Sequence, residues 1–325
     1  MATAFTGDLV DPARSLPARQ ALIEALRAAP DGARVRVLLT AWDGDPGPLI
    51  AALLSSAERH VLTVTLSLSL LTFTEILAPQ LGGRLRTSLS PPANVAFVTL
   101  SSVTRRDART GAPAPTPWAV WTLGSATSNL ANANNILDVT ALSDQGLYEA
   151  LGALDDDVRA GRGLTEGARV GTGEALSAPP ILYTRVGAAA RDRLVAGVDG
   201  CGAGGELYLL MREFRTQSTA LVARLLDLIA QGCDVRVLSP NVDSALRAQL
   251  GARVKVLSGL SLDLAALLLN DPAAPGRAAQ VWAGGCDWLG LKDGASARTP
   301  LVLWTLDAAR HARYREQFLA LWARL

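Results

Sequence analysis

Apolar residues along this chain switch repeatedly between two periods. Runs in which every second position is apolar predict strands, and stretches with apolar residues three to four apart predict helices. In the first half, 34–40 (RVRVLLT) alternates, 48–58 has helical spacing, and 60–70 alternates strictly. There Leu62, Val64, Leu66, Leu68 and Leu70 share one face, with Thr63, Thr65, Ser67 and Ser69 on the other. A short helix over 74–81 stops at Gly82-Gly83, a suitable C-terminal cap. Strands are expected over 84–88, 95–101 and 119–123, then a polar turn at 124–130 and a strand over 136–142.

The second half runs through the same order. It predicts a helix over 185–198, a strand over 206–211, a helix over 218–231 with Ser218 as N-cap, and a strand over 234–238. A helix over 243–250 ends at Gly251, and strands follow over 253–257, 264–269, 280–283 and 300–305, with a turn at Gly284-Gly285-Cys286. The closing helix, 307–325, carries Tyr314, Phe318, Leu321, Trp322 and Leu325 on one face. Trp121 stands three residues before Gly124 and Trp282 three before Gly285, which reads as a local correspondence between the halves. Two βαβ-rich stretches of this size predict a duplicated α/β architecture. Its expected parts are a first domain over 1–160, a Gly-rich linker over 161–177 and a second domain over 178–325.

Composition narrows the function classes. With 325 residues, 49% of them hydrophobic, the chain can bury a large core and lacks the signature of disorder. A net charge of +1 argues against a surface that grips nucleic acid mainly through phosphates. Two histidines, His60 and His311, are too few for a recognisable zinc motif, and neither metal nor cofactor is expected. Cys201, Cys233 and Cys286 form no CxxC and read as reduced thiols. The start of the chain shows no basic, apolar leader, and 61–71 is too short to span a bilayer. A soluble, cytoplasmic protein is the expectation.

Four stretches, in their order and spacing, carry a family resemblance: "GSATSNL" at 124–130, "LIAQGCDVRVLSP" at 228–240, "GARVKVLSGLSLDLAALLLND" at 251–271 and "YREQFLALWARL" at 314–325. The chain resembles the phospholipase D superfamily. The resemblance implies an α/β fold made of a duplicated phospholipase D-like unit, two mixed sheets flanked by helices and packed with pseudo-twofold symmetry. In that family each half supplies a His-x-Lys-x-x-x-x-Asp motif and a Gly-Ser-x-Asn-like turn. One His attacks phosphorus, the other protonates the leaving oxygen, and the Lys pair clamps the developing charge.

Measured against that motif, the reactive groups are gone. Leu264 and Ala266 stand at the His and Lys places of the second half, ahead of Asp271. Val95, Phe97 and Ser102 take the His, Lys and Asp places of the first half. At the turn, Thr127 replaces Asn in the first half, and Asp287 or Trp288 does so in the second. Ser125, Asp271 and Cys286 remain as vestiges. For each the structural role outweighs the chemical one: a tight corner at Ser125, a turn cap before Pro272 at Asp271, a small buried hydrophobe at Cys286. His311 is expected on a solvated helix face with Arg310 and Arg313, and His60 at a loop. Trp118, Trp121, Trp282 and Trp304 are expected in the core.

The leading functional expectation is therefore a catalytically inactive phospholipase D-like protein kept as a binding or scaffold module, monomeric or homodimeric, with a protein or nucleic-acid partner. One alternative is a phosphodiesterase, nuclease or phospholipid-processing enzyme with a site rebuilt from Asp271, Ser125 and His311. Another is a nucleic-acid-binding protein using Arg84, Arg86, Arg105, Arg106 and Arg109.

Overall fold

The computed structural model describes residues 2–5, 10, 18–39, 45–88, 95–106, 113–123, 135–136, 138–142, 145–160, 201–214, 219–258, 261–262, 264–273, 279–285 and 302–325. The chain divides into two compact units. The first comprises Met1–Thr6, Leu16–Asn132 and Asp138–Thr165; the second comprises Gly7–Ser15, Ala133–Leu137 and Glu166–Leu325. The polar turn, the linker and the helix expected over 185–198 lie outside the described residues.

In the first unit, β2 (Arg34–Leu39), β3 (Val61–Ser67) and β4 (Leu85–Ser88) run parallel, separated by α2 (Gly47–Arg59) and α3 (Leu71–Leu81). On the other side of β2 the chain adds β5 (Val95–Arg106), β6 (Pro113–Leu123) and β8 (Asp138–Leu142), each antiparallel to its neighbour. The edge strand β1 (Ala2–Phe5) completes the order β1-β8-β6-β5-β2-β3-β4. Two helices, α1 (Ala18–Ala28) and α4 (Gln145–Arg159), have no counterpart among the sequence expectations.

That omission matters for β3. Its strict alternation suggests a solvent-facing row of Thr and Ser, yet Thr65 is fully buried and Ser67 nearly so. The Thr65 hydroxyl donates to Asp155 on α4 at 2.6 Å, so a helix lies over the polar row. A helix that brings its own carboxylate lets a strand bury hydroxyls without orphaning them.

The second unit holds a six-stranded sheet of order β13-β11-β9-β15-β16-β17 and a separate parallel pair, β10 (Glu213–Phe214) with β12 (Asn241–Val242). Here β9 (Glu206–Leu210), β11 (Asp234–Ser239) and β13 (Val254–Val256) are parallel. β15 (Leu264–Asn270), β16 (Ala279–Gly285) and β17 (Val302–Thr305) continue antiparallel on the other side of β9. Leu207, Leu209, Val235 and Val237 enter one hydrophobic cluster with Leu221, Val222, Leu225 and Leu228 of α5 (Thr219–Ala230) and Leu246 and Leu250 of α6 (Ser244–Leu250). The opposite face carries α7 (Ala308–Arg324), where Phe318 stacks on Tyr208 at 4.8 Å. The strand expected over 136–142 is divided. β7 (Asn135–Ile136) pairs in parallel with β14 (Ser261–Leu262) in the second unit, and β8 belongs to the first.

Two expectations need correction, and a third residue, His60, stands at its expected connection before β3 but is enclosed there. Cys201 and Cys233 are joined by a disulfide, their Cα atoms 5.9 Å apart. Thirty-two residues of separation hid this from the sequence, because parallel pairing of β9 with β11 is what brings the two preceding turns together. His311 and Arg310 are buried, since α7 turns both against its own unit rather than to solvent. His60 is buried at the end of α2, where its Nδ1 accepts from Ser56 Oγ at 2.7 Å and its Nε2 donates to the Ala29 carbonyl at 3.2 Å.

Candidate functional site

In each unit the parallel strands lead away from one side of a central strand, and the antiparallel strands leave from the other. Such a switch point is where an open α/β sheet presents a crevice. The switch falls between β2 and β5 in the first unit and between β9 and β15 in the second.

Pairing fixes which residues stand there. Phe97 lies opposite Leu38 of β2, and Ala266 lies opposite Leu210 of β9. The entry turns give each unit a reference position from which to count. Gly32, with φ +78°, donates its N–H to Arg59 O at 2.8 Å, and Gly204, with φ +81°, donates to Gly232 O at 3.3 Å. Each glycine sits two residues before the central strand, in a left-handed conformation that a side chain disfavours. Counting from these glycines sets Val95 with Leu264, Phe97 with Ala266 and Ser102 with Asp271.

The same register corrects the tryptophans. Trp121 lies opposite Phe97, but Trp282 lies opposite Leu267, one residue beyond Ala266. They are not at equivalent positions, because a one-residue offset in a strand exchanges faces.

Ala266 is buried among aliphatic residues of β15. Asp271 is buried too, and its Oδ1 accepts the Ala273 N–H at 3.0 Å, closing the turn after β15. Val95, Phe97, Ser102 and Leu264 are placed by their backbones on β5 and β15. Ser125, Cys286 and Arg109 lie outside the described residues, as do Thr127, Asp287 and Trp288.

Among the described residues, the arginines fall at two separate places in the sheet. Arg84 and Arg86 are exposed on and beside β4, and Arg84 donates to Ala57 O of α2 at 2.8 Å. Arg105 and Arg106 lie past a register shift near the far end of β5, opposite Ala114 and Pro113. β3 and β2 intervene between β4 and β5. Three strand spacings across and eight residues along place Arg86 and Arg105 roughly 30 Å apart.

His311 stands at the Asp271 end of β15, away from Leu264. It lies within electrostatic reach of Glu206 and Arg315, and burial holds its pKa below the usual histidine value. Glu206 pairs with Asn270 at the opposite end of β15 from Leu264. That is roughly 20 Å of strand. Among the described residues, no group of three or more His, Cys, Asp or Glu side chains is placed to hold a metal ion. No described helix is long and apolar enough to cross a membrane.

What sequence reasoning missed is a charged and aromatic ladder under α7. Arg315 grips Glu206 through Nε and Nη2, both at 2.6 Å. Tyr208 donates to Asp234 at 3.3 Å, Arg236 pairs with Asp234 at 2.8 Å, and Arg236 and Lys255 both lie over the Trp322 ring. Burial, then the Glu206 and Asp234 carboxylates, push the Tyr208 hydroxyl pKa far up, so it remains a neutral donor. The signal was present: ELYLL and DVRVLS place polar side chains at alternate positions that share a face. The first unit has a counterpart in Arg36, which donates to Asp156 at 2.6 Å and to Gly152 O at 3.1 Å beside Asp155.

No protein-family model matches the chain, and no curated protein matches it in sequence. Among solved structures, the polyphosphate kinase from Porphyromonas gingivalis aligns over 92% of this chain at 13% identity, with a TM-score of 0.61. The chain spans about half of that enzyme, 47% of its length. A mutant of yeast tyrosyl-DNA phosphodiesterase aligns over 86% of this chain and 83% of its own, at 7% identity and a TM-score of 0.43. The chain thus shares a mixed α/β fold with the polyphosphate kinase, and at this identity the likeness extends to the fold alone.

Proposed function

We propose that this chain is a phospholipase D-like protein built from two copies of one α/β unit, with domains over 1–160 and 178–325, that has lost the family's phosphoryl-transfer chemistry and acts as a binding or scaffold module. The fold shared with polyphosphate kinase, a phospholipase D superfamily member, supports the family reading. The common strand order β8-β6-β5-β2-β3-β4 and β17-β16-β15-β9-β11-β13 supports the duplication. So do the matching turns Gly82–Arg84 and Gly251–Arg253, which lead into β4 and β13.

One observation carries the loss of chemistry. Both histidines of the chain are enclosed in structural positions, while the motif positions hold Val95, Phe97, Leu264 and Ala266. A nucleophile, an acid and a charge clamp are missing together, and no described residue stands in for them. A site at the Leu264 position would lie roughly 20 Å along β15 from the Glu206 neighbour of His311. The partner is a protein or a nucleic acid, and the separation of Arg86 from Arg105 disfavours a single phosphate-gripping patch.

Hydrolysis of bis(p-nitrophenyl) phosphate, a phospholipid and a single-stranded oligonucleotide tests this. No turnover above the buffer rate is expected for any of them. Turnover that disappears in His311→Gln would overturn the proposal.

A further inference from the structure

Cys201 and His60 belong to the same piece of architecture. His60 immediately precedes β3, and Ala29 stands five residues before β2. Cys233 immediately precedes β11, and Cys201 stands five residues before β9. In the first unit the two turns are linked by the His60 Nε2 to Ala29 O hydrogen bond. In the second, the same two places are linked by the Cys201–Cys233 disulfide. A fold that ties its two central strands at their starts has done so non-covalently once and covalently once.

The surroundings enclose the bond. Both cysteines are buried in the cluster formed by Leu207, Leu228 and Val235. Their Cα separation of 5.9 Å lies within the range a disulfide spans. Gly205 completes the fit: a Cβ there would stand 2.9 Å from Cys201 Sγ and 3.1 Å from the backbone oxygens of Asn270 and Gly202. The chain keeps that position bare where the sulfur lies.

We propose that oxidation of Cys201 and Cys233 is a redox control on the second unit, which reaches full stability only when the bond has formed. A low-molecular-weight disulfide supplies the oxidising equivalents. One cysteine thiolate attacks it, breaking its S–S bond and releasing one thiolate. The other cysteine then displaces the second thiolate from the mixed disulfide. The protein gives up two electrons and two protons, and the oxidant leaves as two thiols. Because both sulfurs are enclosed, the bond forms before the turns close and is reduced only when they open. An oxidising setting follows in place of the cytoplasmic one expected from three free thiols.

Alkylation with iodoacetamide followed by intact mass reads the state directly. Full-length protein refolded from denaturant in mixed oxidised and reduced glutathione, then denatured without reductant, is expected to take one adduct, at Cys286, and three after reduction. Its thermal midpoint should fall by about 5–10 °C on reduction under partly denaturing conditions. The Cys201→Ala/Cys233→Ala protein should show no response to reductant. Three adducts after the glutathione treatment would overturn the proposal, as would a midpoint that reduction leaves unchanged.

Discussion

Arg315 and Glu206, 109 residues apart, meet through two parallel hydrogen bonds of 2.6 Å each. They fasten the middle of α7 to the first residue of β9. The Arg315 guanidinium, then the charge of the same group, holds the Glu206 carboxyl below its ordinary value, against the opposing effect of burial. A fork facing a carboxylate is the strongest geometry an ion pair can take, although both partners keep some exposure here and solvent screens part of the gain.

Removing this tie should cost about 1–2 kcal/mol in urea unfolding at pH 7, measured on Glu206→Gln or Arg315→Met. The pH dependence has a definite sign. A carboxyl with a depressed folded pKa contributes stability above its unfolded value of 4.5, and that contribution disappears as pH falls through the folded pKa. Glu206→Gln should therefore differ most from wild type at pH 7 and approach it as pH falls below 4.5 through the folded pKa.

His60 and His311 predict a second pH effect. Burial lowers both pKa values, most strongly among their causes, so the folded chain keeps both rings neutral. Unfolding releases them to take up protons below their ordinary value of 6.5. Stability should therefore fall as pH drops through that region, by at most about 1.4 kcal/mol per pH unit for each ring. Thermal midpoints between pH 7.5 and 5.5 check this, and the decline should be shallower in His311→Gln. An equal decline in that variant would remove His311 from the account.

Thr65 and Asp155 supply a third. Asp155 is almost wholly enclosed, and burial raises its pKa despite the opposing Thr65 hydroxyl and the nearby Arg159 and Arg36. Thr65→Val keeps the shape and deletes the donor. It should destabilise the protein by about 1–3 kcal/mol at pH 7 by leaving the buried carboxylate short of a partner. With the Asp155 pKa pushed still higher, the deficit should shrink as pH falls and the carboxyl is neutralised. Urea unfolding at pH 7 and pH 4.5 measures both parts.

The period of the apolar residues was enough to find β2, α2, β9, β11 and α7 within a residue or two, and β3 within three, because the buried face of each repeats. The helices α1 and α4 escaped that reading. Without α4, the Thr65 row looked solvated, since alternation cannot distinguish water from a helix carrying Asp155. The apolar character of Val95, Phe97, Leu264 and Ala266 was legible in residue identities alone.

Pairing between distant segments was not. The sequence determined where most strands and helices fall, that Val95, Phe97, Leu264 and Ala266 are apolar, and that only two histidines exist. Tertiary structure decided that both histidines are enclosed, that Arg86 and Arg105 are strands apart, and that Cys201 reaches Cys233. The reason is physical: periodicity records which face of one element is buried, whereas hydrogen-bonded register decides which elements become neighbours.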